Sequence, residues 1–370
     1  MKNGFKVLDS DMHVYDTPDL YLRYMDPKWG SRIPRGEPRE RHGRIQFKLG
    51  NGPVLRPRKE LLTYGEHRVS DRYGFALERG YDSVSQLEAM DREGLDVAVL
   101  FRTSPLHCDD SFEPKYANDL CRAWNSWIAD FCKEDSKRLK ASALLTLHDV
   151  NLAVEETRRA VTGLGVVGLS VCPEPVNGRR IHDPYFDPLW AEIERLGVPL
   201  CFHPPASPKQ EQVARGFYGH PNASIIALAL RNPVELILAI SSFCAGGVLE
   251  RFPNLKVAFL EGNCSWLPWL LYRLDERAEL HGALADVPLS QKPSGYFKRQ
   301  CFISVDPDEY LVTDVISRLG DDNIVISTDY PHIDAHFPHA IDEFLSIKGI
   351  SKASIRKILW DNCARLYNLA

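Results

Sequence analysis

Short apolar runs alternate with longer amphipathic stretches along most of this 370-residue chain. Such apolar runs are typical of parallel strands that are buried on both faces. The runs that predict strands are Lys6–His13, Val97–Phe101, Ser142–Leu145, Val166–Val171, Val198–Phe202, Lys256–Leu260, Phe302–Val305 and Asn323–Ser327. The stretches that predict helices are Ser83–Gly94, Asn118–Glu134, Leu152–Thr162, Pro188–Leu196, Pro233–Arg251 and Glu309–Leu319. Asn151 is predicted as the N-cap of the helix Leu152–Thr162.

Strands separated by helices in this way predict an α/β fold, a distorted (β/α)8 barrel of the TIM type in a single domain, 1–370. A doubly wound open sheet is the alternative, because its strands also alternate with helices. The barrel is favoured, since acidic and histidine residues end strands at both ends of the chain. The first and last strands meet in a closed barrel, whereas in an open sheet they need not.

The alternation of strands and helices is interrupted after the first predicted strand. About eighty residues separate it from the second predicted strand, which is too many for one helix and its loops. The stretch 26–82 is rich in Arg, Pro and Gly. It predicts an insertion over the C-terminal mouth of the barrel, acting as a lid or as an oligomer contact.

The charge and apolar content of the chain limit which macromolecular partners are expected. The formal charge of −5 leaves no basic excess to neutralise phosphates, so a general nucleic-acid binder is not expected. No apolar run is expected to reach the roughly 20 residues of a membrane helix, and MKNGFKVLDSD lacks the apolar core of a signal peptide. These features predict a cytoplasmic protein without a membrane partner. The nine cysteines include no CxxC pair and are expected to be buried thiols.

Asp11 and His13 are two positions apart at the end of the first predicted strand. Alternate residues of a strand face the same side, so both side chains are expected to enter the barrel near its mouth. A carboxylate and an imidazole that converge there suit a divalent metal such as zinc, manganese or iron. Turn residues are the simpler alternative for this motif.

Further residues of ligand type close other strands. His203 follows VPLCF, Glu261 follows VAFL, and Asp329 follows NIVIST. A buried carboxylate without a partner costs several kcal/mol, so Asp329 is expected to be paired or metal-bound. His332 and His107 lie on predicted mouth-side loops, and Arg215 lies in the long connection after His203. Helix capping for Asp329 and a structural ion pair for Glu261 are the alternatives.

These residues lie in strings that resemble one enzyme family. The strings are DSDMH, PLCFHPP, GGVLERFPNLKVAFLEGNCSWLPWLLYRLDE, ISVDPDE and GDDNIVISTDYPHIDA, which together run through most of the chain outside 26–82. They resemble the amidohydrolase-related branch of the amidohydrolase superfamily, which includes aminocarboxymuconate-semialdehyde decarboxylase and related aromatic-acid decarboxylases.

The resemblance implies a metal at the barrel mouth, with Asp11, His13, His203 and Asp329 as ligands. Glu261 is a further candidate ligand on its own chemistry, because a site this rich in carboxylates could hold two metals. Zinc or manganese is implied, with an iron or manganese pair as an alternative. It also implies a homodimer, or a hetero-oligomer with a related subunit. The chain departs from the family in having Asp-x-His on the first strand, and Glu261 where the decarboxylases usually have histidine.

Three activities are therefore weighed. The favoured one is a metal-dependent hydrolase of a C–N or C–O bond in a small molecule, with Asp329 as base and Glu261 or His332 assisting the leaving group. The second is a non-oxidative decarboxylase of a small carboxylic acid, with Arg215, Arg102 or His107 at the substrate. The third is a dinuclear metal oxygenase on the same scaffold. A structural subunit is the non-enzymatic alternative.

Overall fold

The structure is a computed structural model, and it describes residues 1–38, 45–48, 69–103, 111–204, 220, 222–332 and 334–369. Its strands, in chain order, are β1 (Leu8–Val14), β2 (Arg35–Pro38), β3 (Ile45–Lys48), β4 (Val97–Arg102), β5 (Leu139–Leu144), β6 (Gly168–Val171), β7 (Leu200–Phe202), β8 (Val257–Phe259), β9 (Cys301–Val305) and β10 (Ile324–Ile326). All eight predicted strands are confirmed, with bounds that differ by a few residues.

The eight parallel strands form one sheet in the order β1-β4-β5-β6-β7-β8-β9-β10. The side chains of these strands are almost all buried, as expected for strands that helices cover on the outside. β1 and β10 lie side by side, so the sheet curls into a nearly closed barrel and the open-sheet alternative is wrong. The hairpin of β2 and β3 is antiparallel and separate from the barrel.

Hydroxyl groups and backbone atoms join the two edge strands of the barrel. Ser10 Oγ donates to the carbonyl of Ile326 at 2.6 Å, and Ser327 Oγ donates to the carbonyl of Asp11 at 3.1 Å. Further up, the N–H of His13 donates to the carbonyl of Tyr330 at 2.6 Å. These bonds bring the C-terminal ends of the first and last barrel strands together, which is where β1 carries Asp11 and His13.

Helices surround the barrel. The α-helices are Leu20–Tyr24, Val69–Glu78, Ser83–Glu93, Pro114–Phe131, Val150–Arg158, Asp187–Leu196, Ala223–Cys244, Val248–Arg251, Leu267–His281, Pro293–Gln300, Val312–Leu319, Ala340–Ser346, Lys352–Arg356 and Asn362–Tyr367. All six predicted helices are present, although Pro233–Arg251 is two helices, the first of which begins earlier. The prediction of Asn151 as an N-cap was wrong. The cap is Asp149, whose carboxylate accepts from the N–H groups of Asn151 and Leu152.

The described parts of the insertion 26–82 include a 3-10 helix at Pro27–Arg32, the β2–β3 hairpin and the helix Val69–Glu78. Tyr73 on that helix is buried against Tyr330 and Phe337, and its hydroxyl donates to the carbonyl of His332 at 3.0 Å. This helix therefore packs on the loop that follows β10. A lid function for the insertion stays a prediction.

The helix Ala223–Cys244 corrects one expectation from the sequence. Its stretch Ile225–Cys244 has a mean hydropathy of 1.6, so by length and composition alone it could cross a membrane. The core helix of a soluble protein can have the same length and composition. The stretch includes Arg231 and Glu235, and its second half packs into the core through Leu236, Ala239, Ile240, Phe243 and Cys244. We therefore describe it as an outer helix of the barrel.

The eight cysteines within the described ranges are free and buried, which agrees with the prediction of thiols.

Candidate metal centre

Each metal-ligand candidate lies at the C-terminal end of a barrel strand. Asp11 and His13 are on β1, His203 follows β7 directly, and Glu261 and Asp329 lie two and three residues beyond the last residues of β8 and β10. Because all these strands are parallel, their C-terminal ends meet at one mouth. The sequence prediction that these five residues come together therefore agrees with their placement.

Their polar atoms are close to one another. His13 Nε2 lies 3.4 Å from Glu261 Oε2, 3.4 Å from Asp329 Oδ1 and 3.7 Å from Asp11 Oδ1. His203 Nε2 lies 2.7 Å from Glu261 Oε2, 3.6 Å from Asp11 Oδ1 and 3.1 Å from His13 Nε2. Separations of this size are those expected between ligand atoms that share a cation.

Both strand-end turns that carry a carboxylate adopt the left-handed backbone conformation. The φ angle is 57° at Glu261 and 56° at Asp329, a region that costs free energy for residues other than glycine. Such strain persists only where the surroundings enforce it, and it is frequent at functional sites. The turn conformation directs each carboxylate back over the barrel mouth instead of along the strand.

The unsatisfied atoms of the cluster fit a metal ion. Asp11 is fully buried, and neither of its carboxylate oxygens has a hydrogen-bond partner within the part of the chain that the structure describes. Glu261 Oε2 lies 2.7 Å from His203 Nε2 but has no aligned hydrogen bond to any described residue. Buried oxygens without donors are costly unless a cation satisfies them. Carboxylate and imidazole donors together suit zinc, manganese or iron, so these residues fit a divalent metal.

The carboxyl groups respond differently to burial. Burial raises the pKa of Asp11 to about 7, and burial together with the nearby Glu261 raises the pKa of Asp329 well above its ordinary value. Burial acts in the same direction on Glu261, but His203 and contacts with both histidines outweigh it and hold the pKa of Glu261 low. Glu261 is thus the carboxylate that stays ionised most readily.

The two histidines that face each other are also distinct. Burial and the neighbouring His332 lower the pKa of His13 to about 4. Burial would lower the pKa of His203 as well, but Glu261 and Asp11 raise it to about 9. In the metal-free protein His203 is therefore the protonated imidazole and His13 the neutral one. Phe101 stacks on the His203 ring at 5.6 Å and helps to fix its plane.

His332 lies beside Asp329, with its Nδ1 2.6 Å from Asp329 Oδ1. Its ring also lies 4.2 Å from the ring of His13. As a result, the ligand candidates form two overlapping groups that share His13 and Glu261. One group adds Asp11 and His203, and the other adds Asp329 and His332.

Other sequence predictions for the site have different outcomes. His107 and Arg215 lie outside the described residues. The proposal of Arg102 as a substrate contact was wrong. Its buried guanidinium faces away from the barrel interior and donates to Asp16 and to the hydroxyl of Tyr21. The parity of β4 explains this: Phe101 pairs with His13 and faces the interior, so the next residue faces away.

Two residues that sequence reasoning missed support the site. Asp306 follows β9 just as the other carboxylates follow their strands, and its Oδ2 accepts from Asn263 Nδ2 at 2.6 Å. Burial, Glu309 and Asp329 raise the pKa of Asp306 well above its ordinary value. Asn232 donates from Nδ2 to Glu261 Oε1 at 3.0 Å. The strand-end rule could have found Asp306, whereas no local signal distinguishes Asn232.

The barrel and the strand-end residues fit one enzyme family, and the match extends over nearly the whole chain. The model of the amidohydrolase family covers residues 10–369. The chain belongs to the amidohydrolase family. The resemblance seen in the strand-end strings is thereby confirmed.

Two relatives that the chain resembles are named as decarboxylases. The chain is 27% identical to 2-amino-3-carboxymuconate-6-semialdehyde decarboxylase of Dictyostelium discoideum over 290 residues, which are 78% of this chain and 77% of that one. It is 29% identical to gamma-resorcylate decarboxylase of Rhodococcus jostii over 296 residues, 77% of this chain and 87% of that one.

Among solved structures, dihydroxybenzoic acid decarboxylase of Polaromonas sp. JS666, with bound manganese and an inhibitor, has a TM-score of 0.67. It is 21% identical, and the match covers 99% of this chain and 97% of that one. At this identity the likeness shows a shared fold.

Proposed function

We propose that this amidohydrolase-family enzyme is a metal-dependent, non-oxidative decarboxylase of a small aromatic carboxylic acid. The observation that carries the proposal is the convergence of Asp11, His13, His203 and Asp329 at the mouth of a barrel whose relatives are decarboxylases. The sequence alone favoured hydrolysis. The two named relatives support decarboxylation, the alternative to hydrolysis, because both are named as decarboxylases.

The metal would be held by Asp11, His13, His203 and Asp329, with Glu261 close enough to join them. Manganese or zinc is proposed, because the donors are oxygen and imidazole nitrogen and the Polaromonas enzyme holds manganese. A divalent ion bound there supplies positive charge that can attract a carboxylate and stabilise negative charge as it develops.

The chain's own residues have two tasks in this reaction. The bond between the ring carbon and the carboxyl group breaks, and its electron pair stays on the ring carbon, which must take up one proton. Asp329 and His332 form a pair 2.6 Å apart that can hold that proton between Oδ1 and Nδ1. Glu261 is the ionised carboxylate of the site, so it is better suited to hold His203 in place than to act as an acid.

A second candidate is a dinuclear metal oxygenase. The two overlapping ligand groups, which share His13 and Glu261, support it because they offer two neighbouring positions for a metal. In that case Asp329 and His332 would be ligands of a second ion instead of a proton-holding pair.

The test is release of carbon dioxide from carboxyl-labelled hydroxybenzoates by manganese-loaded enzyme, with 2,6-dihydroxybenzoate among them. The expected result is one labelled carbon dioxide and one decarboxylated arene per substrate consumed, without uptake of dioxygen. Hydrolysis of amide or ester substrates without carbon dioxide release, or dioxygen consumption by the iron-loaded enzyme, would contradict the proposal.

A further inference from the structure

The turn that carries Glu261 is fixed from several directions. The N–H of Glu261 donates to Ser304 Oγ at 3.0 Å, and Trp266 Nε1 donates to the carbonyl of Gly262 at 2.7 Å. Glu309 Oε1 accepts from the N–H groups of Cys264 and Ser265, both at 2.8 Å. These contacts hold the backbone of the turn, but none of them decides which way the Glu261 carboxylate points.

The outer helix Ala223–Cys244 supplies that contact. Asn232 Nδ2 donates to Glu261 Oε1 at 3.0 Å, which leaves Oε2 directed at His203 and His13. The helix and the turn are packed without spare room: a Cβ on Gly262 would lie 2.4 Å from Leu236 Cδ1, one helical turn beyond Asn232. The helix therefore cannot withdraw from the carboxylate without disturbing this packing.

The polarity of the amide matters as much as its position. Asn232 presents N–H to Glu261, and its Oδ1 is buried without a hydrogen-bond partner among the described residues. Leaving the Oδ1 oxygen unpaired costs free energy. The amide therefore keeps this orientation because of the hydrogen bond that Nδ2 donates to Glu261. A donor at this point stabilises the orientation in which Oε1 faces Asn232 and disfavours a rotated carboxylate.

We propose that Asn232 is a positioning residue, which aims the Glu261 carboxylate at His203 and His13 and thereby strengthens metal binding at the barrel mouth. It acts through Glu261 and contacts neither histidine in the described structure. Hydrogen-bond partners of ligand groups typically contribute a factor of about 10–100 to metal affinity or activity. This role concerns metal binding, so it does not depend on which reaction the enzyme catalyses.

The experiment is a double-mutant cycle on manganese affinity, measured by chelator competition with the full-length protein. Asn232→Leu keeps the side-chain volume and removes the donor. It should weaken manganese binding by about tenfold when Glu261 is present, and by less than about twofold in a Glu261→Gln background. Leu238→Ala, an exposed change on the same helix, is the control and should leave affinity unchanged.

Equal weakening in both backgrounds would overturn the proposal, because Asn232 would then act by general packing. No weakening with Glu261 present would overturn it as well. Asn232→Asp is a second variant of nearly the same shape that places an acceptor opposite Glu261, and it should weaken binding at least as much. If the wild-type enzyme releases no carbon dioxide, the proposed function fails while the affinity cycle still decides this inference.

Discussion

His13 Nε2 and His203 Nε2 lie 3.1 Å apart at the barrel mouth, although the two residues are 190 positions apart in the chain. Two imidazoles in this arrangement can share only one proton between the facing nitrogens. The lowered pKa of His13 and the raised pKa of His203 describe how the metal-free protein satisfies that requirement. A divalent cation that both nitrogens bind would replace the proton and remove the need for it.

Removing a proposed ligand should remove the metal and leave the barrel folded. His203→Ala or Asp329→Asn is expected to lower metal affinity by at least about 100-fold, since each deletes a donor atom of the cluster. Metal content is measured by elemental mass spectrometry and folding by circular dichroism. His339→Ala changes an exposed histidine and serves as the control. Full metal content in either ligand variant would show that the ligand assignment is wrong.

Metal affinity should rise with pH. Asp11 has a pKa raised to about 7 and His203 a pKa raised to about 9, so in the metal-free protein His203 carries a proton at neutral pH and Asp11 gains one as the pH falls through about 7. The cation must displace those protons, so binding tightens as pH rises toward 9 and releases protons at pH 7. Chelator competition at several pH values and proton release in weak buffer measure this. Affinity that is independent of pH between 6 and 8 would contradict the assignment.

Asp9 should matter for stability and not for metal binding. Its Oδ1 accepts from the N–H groups of Asp11 and Thr328 at 3.1 and 3.2 Å, and Oδ2 accepts from the Thr328 hydroxyl. Asp9→Ala leaves buried donors unpaired at the junction of β1 and β10, which should cost about 2–4 kcal/mol of the free energy of unfolding. Urea denaturation measures the loss. If the Asp9→Ala variant is as stable as the wild type but binds no metal, Asp9 is a metal ligand instead.

Glu261→Gln should keep one metal ion per chain and slow decarboxylation by about 10–100-fold. The substitution retains the hydrogen-bonding shape but removes the charge that holds His203 and faces His13. Metal content and turnover are measured on the same preparation. Two ions per wild-type chain, of which the variant loses one, would instead identify Glu261 as a bridge and favour the dinuclear candidate.

The sequence predicted the barrel and its metal-type residues because both depend on local patterns. Each ligand candidate ends an apolar run, and parallel strands bring those ends to one mouth whatever the loops between them do. Asp306 obeys the same rule, because it directly follows the apolar run of β9. Arg102 pairs with Val14 of β1, one position beyond the pair of Phe101 and His13, so strand parity turns it away from the barrel interior.

Other features depend on contacts that no local pattern encodes. Asn232 lies in the middle of a helix, 29 residues before Glu261, and only the packing of that helix brings the two together. The left-handed backbone at Glu261 is likewise imposed by surrounding contacts, since Glu rarely adopts it, whereas Asp329 is of a residue type that tolerates it better. The choice between hydrolysis and decarboxylation could not be made from ligand types, because both reactions use the same metal-binding residues.

The most direct test of the account is anomalous diffraction at the manganese edge from crystals of the manganese-loaded enzyme. The account predicts a peak at the barrel mouth with ligand atoms of Asp11, His13, His203 and Asp329 at bonding distance from the manganese ion. A peak elsewhere, or a mouth without manganese at saturating metal, would contradict it.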